Sequence, residues 1–372
     1  MKRVGMLAGV LFLALLLLSP LALPSVSACG SMTRARDLGT LGGGYSQTWD
    51  MNNKGVVVGA SWTADGYYHA FSWSKSNGIV DINPAGASSS SASAINDRGD
   101  IVGRYVPAGA TFDRACLWKA NGEFVDLGDL FGGYDTCCYA TDINERGSVV
   151  GRAYTYDDVI APSYHVGHAV MWYVSSGSYA IRDLGTLEGG SWAWAWGLND
   201  WDEVVGMSAT WCWDSWSTEV HAFKWSASTG MQDIWHVDGL SYDDLSCAMD
   251  INNRGLVAYD VYHLDEYGSN YIEMGYQMYR GHITPYKPIG TDPCYGRVVN
   301  SMGDAAGAVW AEPFWMRNGF VQKHDGRQVV LTTVAGMDCW AMSLNDYGSV
   351  AGTGMVSTPN GYEYHAVLWQ GV

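Results

Sequence analysis

After one long apolar stretch near the start, hydrophobic positions come in short runs bounded by Gly, Asn, Asp and Ser, such as Val56-Val57-Val58 and Val149-Val150. Short runs between turn formers predict β-strands rather than helices. The turn that precedes them recurs, most clearly as INNRGLV, INDRGDIVG and INERGSVVG. Its Asn is Asn52, Asn96, Asn144, Asn199, Asn252, Asn300 and Asn345, at spacings of 44, 48, 55, 53, 48 and 45 residues. A period of that size predicts a repeat architecture. Gly stands three residues after each Asn (Gly55, Gly99, Gly147, Gly255, Gly303, Gly348), Asp202 excepted, and again seven residues after, Tyr259 excepted. An Asn side chain caps its own backbone two residues on, and Gly supplies the positive φ of a short bulged hairpin loop. Asn-x-x-Gly is therefore expected to be a tight turn between two strands.

One full unit, residues 37 to 80, contains four β-like segments: one ending at Met51, then Val56 to Ala60, His69 to Trp73, and Gly78 into Asp81. Four short strands per unit of about 45 residues are the pattern of a propeller blade. Seven Asn turns predict an all-β fold, a seven-bladed β-propeller with four-stranded blades. The chain stops after a third strand at Trp369, while the segment around Arg34 to Leu38 has no unit before it. That N-terminal strand is expected to complete the last blade and close the ring, removing two open edges.

The third segment recurs as HAFSW (69 to 73), RACLW (114 to 118), HAVMW (168 to 172), HAFKW (221 to 225) and HAVLW (365 to 369), and DLG follows at 37 to 39, 126 to 128 and 183 to 185. With the Asn turns, these motifs resemble the HAF-type extracellular repeat family over residues 34 to 372. Units five and six depart from the pattern, with Tyr276 to Arg280 and Phe320 to Lys323 standing in for the HAF segment. The resemblance implies a propeller-like fold and an extracellular location, and implies no activity.

Four and six residues before each Asn the side chains are small, as in Thr48/Ser46, Ala140/Cys138 and Ala341/Cys339, while the third and fifth are often bulky. Alternate residues face opposite sides of a strand, so one blade is expected to offer bulky residues to its neighbour's small face. Trp192, Trp194 and Trp196 are then inter-blade core rather than a sugar platform, and the Ser-rich run Ser88 to Ser91 is a strand rather than a linker. His69, His168, His221 and His365 open equivalent third strands on different blades; they are expected to repeat one hydrogen bond and not to share a metal. Apart from Cys29, seven cysteines remain (116, 137, 138, 212, 247, 294, 339), an odd number with no CxxC pair. They read as buried small residues rather than a zinc site, with at least one thiol left over.

Lys2 and Arg3, the apolar run to Leu18 and the small residues before Cys29 make residues 1–28 a secretory signal peptide. The same site also reads as a lipobox with Cys29 as the lipidated residue. No later stretch reaches the ~18 apolar residues of a membrane helix, so residues 29–372 are expected to form a single propeller, secreted or lipid-anchored outside the cytoplasm. A net charge of −17 argues against a nucleic-acid partner, and 16% charged residues against a disordered acidic chain.

The connections between second and third strands vary most, with nine residues between Gly59 and His69, sixteen between Gly151 and His168 and fourteen between Gly206 and His221. Variable loops on a rigid scaffold commonly carry function. They hold Trp62, Tyr67, Tyr154, Tyr156, Trp211, Trp213, Trp216, Tyr262, Tyr267, Trp310 and Trp315, rings suited to a sugar or a protein partner. The leading expectation is a non-catalytic module that binds a glycan or protein through these loops. The alternatives are a polysaccharide hydrolase or lyase using the loop carboxylates Asp157, Asp158, Asp214, Glu219, Asp260, Asp265, Glu266 and Glu312, or a structural surface protein that self-associates. No catalytic motif, metal motif or cofactor motif is present, and calcium at an acidic loop has no DxDxDG to support it.

Overall fold

The computed structural model describes residues 33–130, 137–156, 165–212, 217–234, 245–264, 271–289, 294–311, 316–333, 335 and 338–372. All regular structure in them is β, arranged as a propeller. In the first unit the strands are Gly42–Met51, Val57–Thr63, Tyr68–Ser74 and Gly78–Asp81, paired antiparallel in sequence order. No helix among the described residues is long and apolar enough to cross a membrane. Residues 1–28 and Cys29 lie outside the described residues.

Among the described residues the hydrogen-bonded sheets number six, not the seven blades expected: four have four strands, one has five and one has eight. The five-stranded sheet gains Thr33–Arg34, which runs parallel to Gln328–Thr332. The eight-stranded sheet joins the last unit to the first through a single parallel pair, Tyr364 with Tyr45. Arg36–Asp37 pairs antiparallel with Gly361–Trp369 in the last unit.

The Asn turns bond to one another around the axis. Each Asn Oδ1 accepts N–H groups of its own turn; Asn144 takes those of Arg146 at 3.0 Å and Ser148 at 2.9 Å. Each Nδ2 donates to the carbonyl of the next unit's Asn: 52 to 96, 96 to 144, 144 to 199, 199 to 252, 252 to 300, 300 to 345, and 345 back to 52, at 2.8 to 3.5 Å. All seven Asn side chains are buried. The first Gly of each turn has positive φ, for example 73° at Gly55, and Asp202 adopts 58° in its place.

The second Gly has a different cause from the first. In every inner strand the register slips three residues before Asn, leaving Trp49, Ser93, Thr141, Trp196, Met249, Arg297 or Met342 as the extra residue of a β-bulge. The bulged strand presses its carbonyl onto the opposite strand. A Cβ on Gly151 would lie 1.9 Å from the Tyr139 oxygen, and one on Gly206 2.0 Å from that of Trp194.

Seven apolar clusters fill the gaps between successive units, the last joining unit seven to unit one through Leu38, Phe71, Ala351 and Ala366. The small inner-strand residues are the buried ones, including Cys138, Cys294 and Cys339. Ser88 to Ser91 fall in the strand Ala87–Ile95, as expected. Ser90 and Ser246 accept the Ala70 and Ala222 N–H groups of the preceding unit's third strand at 2.9 Å. The bulky neighbours pack between units and also reach the central channel: Arg152 of the third unit lies over Trp194 of the fourth at 4.3 Å, Arg104 of the second over Tyr139 of the third at 5.1 Å, and Trp194 and Trp196 are half-buried where they line the channel.

The four motif histidines repeat one hydrogen bond, each Nδ1 to the Asp of the strand beside it: His69 to Asp81, His168 to Asp183, His221 to Asp233 and His365 to Asp37, at 2.7 to 2.9 Å. Arg114 makes the same clasp to Asp126. Burial works against the His365 imidazolium, but the hydrogen bond and charge of Asp37, then those of Glu363, hold it above its ordinary value of 6.5. Burial likewise opposes the Asp37 carboxylate, yet His365 and the Gly39 N–H hold it below 3.8.

Replacing Asn144 by Ala strands two backbone donors and removes one of the two hydrogen bonds to the Asn199 carbonyl, and is expected to lower the free energy of unfolding by about 2–4 kcal/mol, measured by the denaturant midpoint. The His365 contribution is full below its unfolded value and is lost as pH rises through the higher folded one. That of Asp37 is full above its unfolded value and is lost as pH falls through the lower folded one. Protection of the Leu38 amide, which donates to Ala366, is therefore expected to be greater at pH 5.5 than at pH 8 by hydrogen exchange, with the difference reduced in His365→Ala.

Candidate active site

The bulges place two successive side chains of one strand on the channel wall. Where the sequence allows it, the second of the two is an aspartate: Asp50, Asp142 and Asp250, each two residues before its Asn. The other four units carry Ala94, Gly197, Val298 and Ser343 at this position. Each carboxylate ties two units together. Asp142 accepts the Ile143 N–H at 2.7 Å and the Leu198 N–H of the next unit at 2.9 Å. Asp250 accepts those of Ile251 at 2.7 Å and Val299 at 2.8 Å. Asp50 accepts Met51 and the Ser343 hydroxyl, both at 2.7 Å, and Ile95 at 2.8 Å.

All three are set deep in the protein, yet they line a cavity of about 310 Å³ and are only half-buried on their own surface. Their ionisation is correspondingly displaced. Burial, then repulsion from Asp250 and Asp50, pushes Asp142 up to about 8, against the pull of the Leu198 N–H. Burial pushes Asp250 up to about 6, with Asp50 adding repulsion, and burial also raises Asp50. At neutral pH the group thus holds at least one proton beside at least one carboxylate, and its titration belongs to the cluster rather than to single residues.

The cavity walls are aromatic and basic. Trp49, Tyr139, Trp194 and Trp196 face it, together with Arg104, Arg152 and Arg297. The Arg152 guanidinium lies over Tyr139 at 4.2 Å, Trp194 at 4.3 Å and Tyr154 at 5.5 Å. At the Asn end of the axis a smaller cavity of about 230 Å³ is lined by the residues after each Asn, among them Asn53, Asp97, Glu145, Asp200 and Asp346. Those side chains form a second ring of bonds, with the Asp97 carboxylate accepting Asn53 N–H at 2.7 Å and the Asp346 N–H donating to Asn53 at 2.8 Å.

Among the described residues, the expected loop positions stand on hairpins of separate units. The long connections are mostly hairpins: Val149–Tyr156 pairs with His165–Ser175, and Val204–Cys212 with Ser217–Ser226. β-favouring aromatic residues extend these ladders instead of forming loops. Trp62 is 43% and Tyr67 56% exposed on the first hairpin, while Tyr154, Trp211 and Tyr262 are half-buried on other units. Trp213, Trp216, Tyr267 and Trp315 lie outside the described residues, as do the side chains of Tyr156 and Trp310. Of the loop carboxylates, Glu219 is buried against His221 at 3.2 Å and Asp260 is buried in a strand; Asp157, Asp158, Asp214, Asp265, Glu266 and Glu312 lie outside the described residues. No group of three or more metal-ligating side chains occurs among the described residues. The channel aspartates were missed because each sits in a strand with no local signature; their one signal was the recurrence of Asp two positions before three of the seven Asn residues.

No protein-family model matches the chain, and no curated protein matches it. Among solved structures it is similar to the β-propeller domain of the trilobed protease from Pyrococcus furiosus, with 10% identity and a TM-score of 0.53, covering 88% of this chain and 94% of that one. It is also similar to the acylaminoacyl peptidase of Pyrococcus horikoshii, with 10% identity and a TM-score of 0.54, covering 88% of this chain and 52% of that one. The chain thus spans about half the length of the latter. These likenesses show the β-propeller fold. Against the expectation of a module that binds a glycan or protein without chemistry, the two proteins are by name a protease and a peptidase.

In infrared difference spectra a protonated carboxyl band is expected to persist at pH 7 and to titrate near pH 8. Replacing Asp250 by Asn removes a like charge and is expected to move that transition to lower pH.

Proposed function

We propose that this chain is an extracytoplasmic polysaccharide hydrolase whose reaction takes place in the channel cavity of a seven-bladed propeller. The observation that carries the reading is the convergence of Asp50, Asp142 and Asp250 on one aromatic-walled cavity with their ionisation spread apart, Asp142 at about 8 and Asp250 at about 6. Paired carboxyls held in different protonation states are what glycoside hydrolysis requires. Asp142, protonated at neutral pH, donates its proton to the glycosidic oxygen as the bond to the anomeric carbon breaks. Ionised Asp250 takes a proton from the attacking water, whose oxygen bonds to that carbon. Unlike the loop carboxylates, these groups stand on rigid strands whose geometry the Asn ring supports.

The count of seven blades is supported by seven Asn turns bonded in a cycle and by seven inter-unit clusters. Completion of the last blade by Arg36–Asp37 is supported by the His365–Asp37 clasp, which has the same partners as the clasps inside other units. Membership of the HAF-type repeat family rests on the three motifs in fixed order. Export rests on residues 1–28, with Cys29 either lipidated or simply near the mature start.

The test is incubation of the full chain with a panel of soluble polysaccharides and with casein, recording reducing ends, unsaturated ends and free amines. Reducing ends without unsaturation are expected, with a bell-shaped pH profile whose limbs fall near 6 and 8. Asp142→Asn is expected to lower the rate by about 10²-fold or more without loss of the folded circular dichroism signal. Unsaturated ends would replace hydrolysis by elimination, amine release would replace the glycan by a peptide, and full activity in Asp142→Asn would remove the channel from the mechanism.

A further inference from the structure

The chemistry of the cavity wall goes further than that of its acidic floor. In a chain with only 21 Lys and Arg against 38 Asp and Glu, three arginines line this one cavity. Arg104 and Arg152 occupy the same position in successive units, directly after Gly103 and Gly151, and Arg297 is a bulge residue from the other side of the channel. Arg104 has a loose partner in Asp113 at 3.7 Å and lies over Tyr139 at 5.1 Å. Arg152 has no hydrogen-bond or ion-pair partner among the described residues. It is held by faces alone, Tyr139 on one side and Trp194 on another. Stacking of this kind fixes the plane of the guanidinium and leaves its N–H edge for a ligand, the arrangement that suits a bidentate anion. A further donor points the same way: the indole N–H of Trp196 is buried beside the cavity with no acceptor among the described residues.

The floor and the wall demand different things of a ligand. A free anion would be repelled by the carboxylates below, whereas a sugar chain can set its anionic substituent against the arginines and its glycosidic oxygen over the aspartates. The geometry points to an anionic glycan, one bearing ring carboxylates or sulfate esters, as the substrate, with Arg152 as the centre of the anion subsite and Trp194 and Tyr139 as the surfaces that hold it. This inference rests on the channel being the reacting site proposed above, and it adds the substrate class.

The experiment is isothermal titration calorimetry of the full chain in the Asp142→Asn form, which binds without turnover, using oligomers of matched length: a polyuronate, a sulfated glucan and a neutral glucan. Either anionic oligomer is expected to bind at least about tenfold more tightly than the neutral one, and the better of the two identifies carboxylate or sulfate as the recognised group. Arg152→Ala is expected to weaken that oligomer about ten- to hundredfold and the neutral one far less, so that the preference for the anionic oligomer is lost, with Arg152→Lys recovering only part of it. Arg297→Ala serves as the second variant should Arg152→Ala fail to fold. Equal binding of neutral and anionic oligomers, or no change in either variant, would overturn the inference. Anion-selective binding by a wild-type chain that cleaves none of the oligomers would leave the subsite standing and remove the hydrolase reading. Cleavage of the neutral glucan alone would do the reverse.

Discussion

The cycle of Asn side chains is the constraint on which the remaining structure depends. A propeller unit cannot bury its own hydrophobic surface, so each unit needs a neighbour at a fixed angle and distance. Here one amide per unit supplies both halves of that requirement. Its oxygen closes the turn it belongs to, and its nitrogen reaches the main chain of the next turn. The last amide reaches the first unit at 3.5 Å, the longest of the seven steps. Buried and away from water, each amide leaves costly orphans if any step is missing, so the turns position one another.

From that ring outward the same economy repeats. The bulge just before each Asn bends the inner strand, and its carbonyl comes so close to the second strand that Gly stands opposite in six of the seven units, with Tyr259 in the fifth. The same bulge turns adjacent side chains into the channel. The scaffold's own device for packing strands therefore also furnishes the walls of the cavity. Aspartate fits there because the next unit offers a backbone N–H at each such position, as Leu198 does for Asp142 and Val299 for Asp250. The carboxyls are thus structural ties and, by their crowding and burial, chemically displaced groups at once. Farther out, the His–Asp clasp binds third strand to outer strand, and between Asp37 and His365 it spans 328 positions of the chain.

Function in such a scaffold depends on what the repeat leaves free to vary. The bulge position is Trp in two units, Met in two, and Ser, Thr or Arg in the others. The position after the second Gly is Arg in the second and third units only. This breaks the symmetry of the channel and gives it one basic, aromatic flank. Identical units would give a symmetric channel; the departures from the repeat make a particular cavity of it.

The repeat, its turns, the four strands per unit and the His clasp were legible in the sequence because each is a local pattern reproduced many times, and repetition separates a geometric requirement from chance. The small face of the inner strand was legible for the same reason. The bulge was not, since one inserted residue leaves the alternation of small and bulky positions looking undisturbed while bringing Trp196 onto the channel wall. Nor was the meeting of Asp50, Asp142 and Asp250 legible, because residues 92 and 108 positions apart share a wall only once the ring is closed. Their ionisation, like the stacking of Arg152 on Tyr139 and Trp194, follows from distance and burial in three dimensions, which spacing along the chain does not encode.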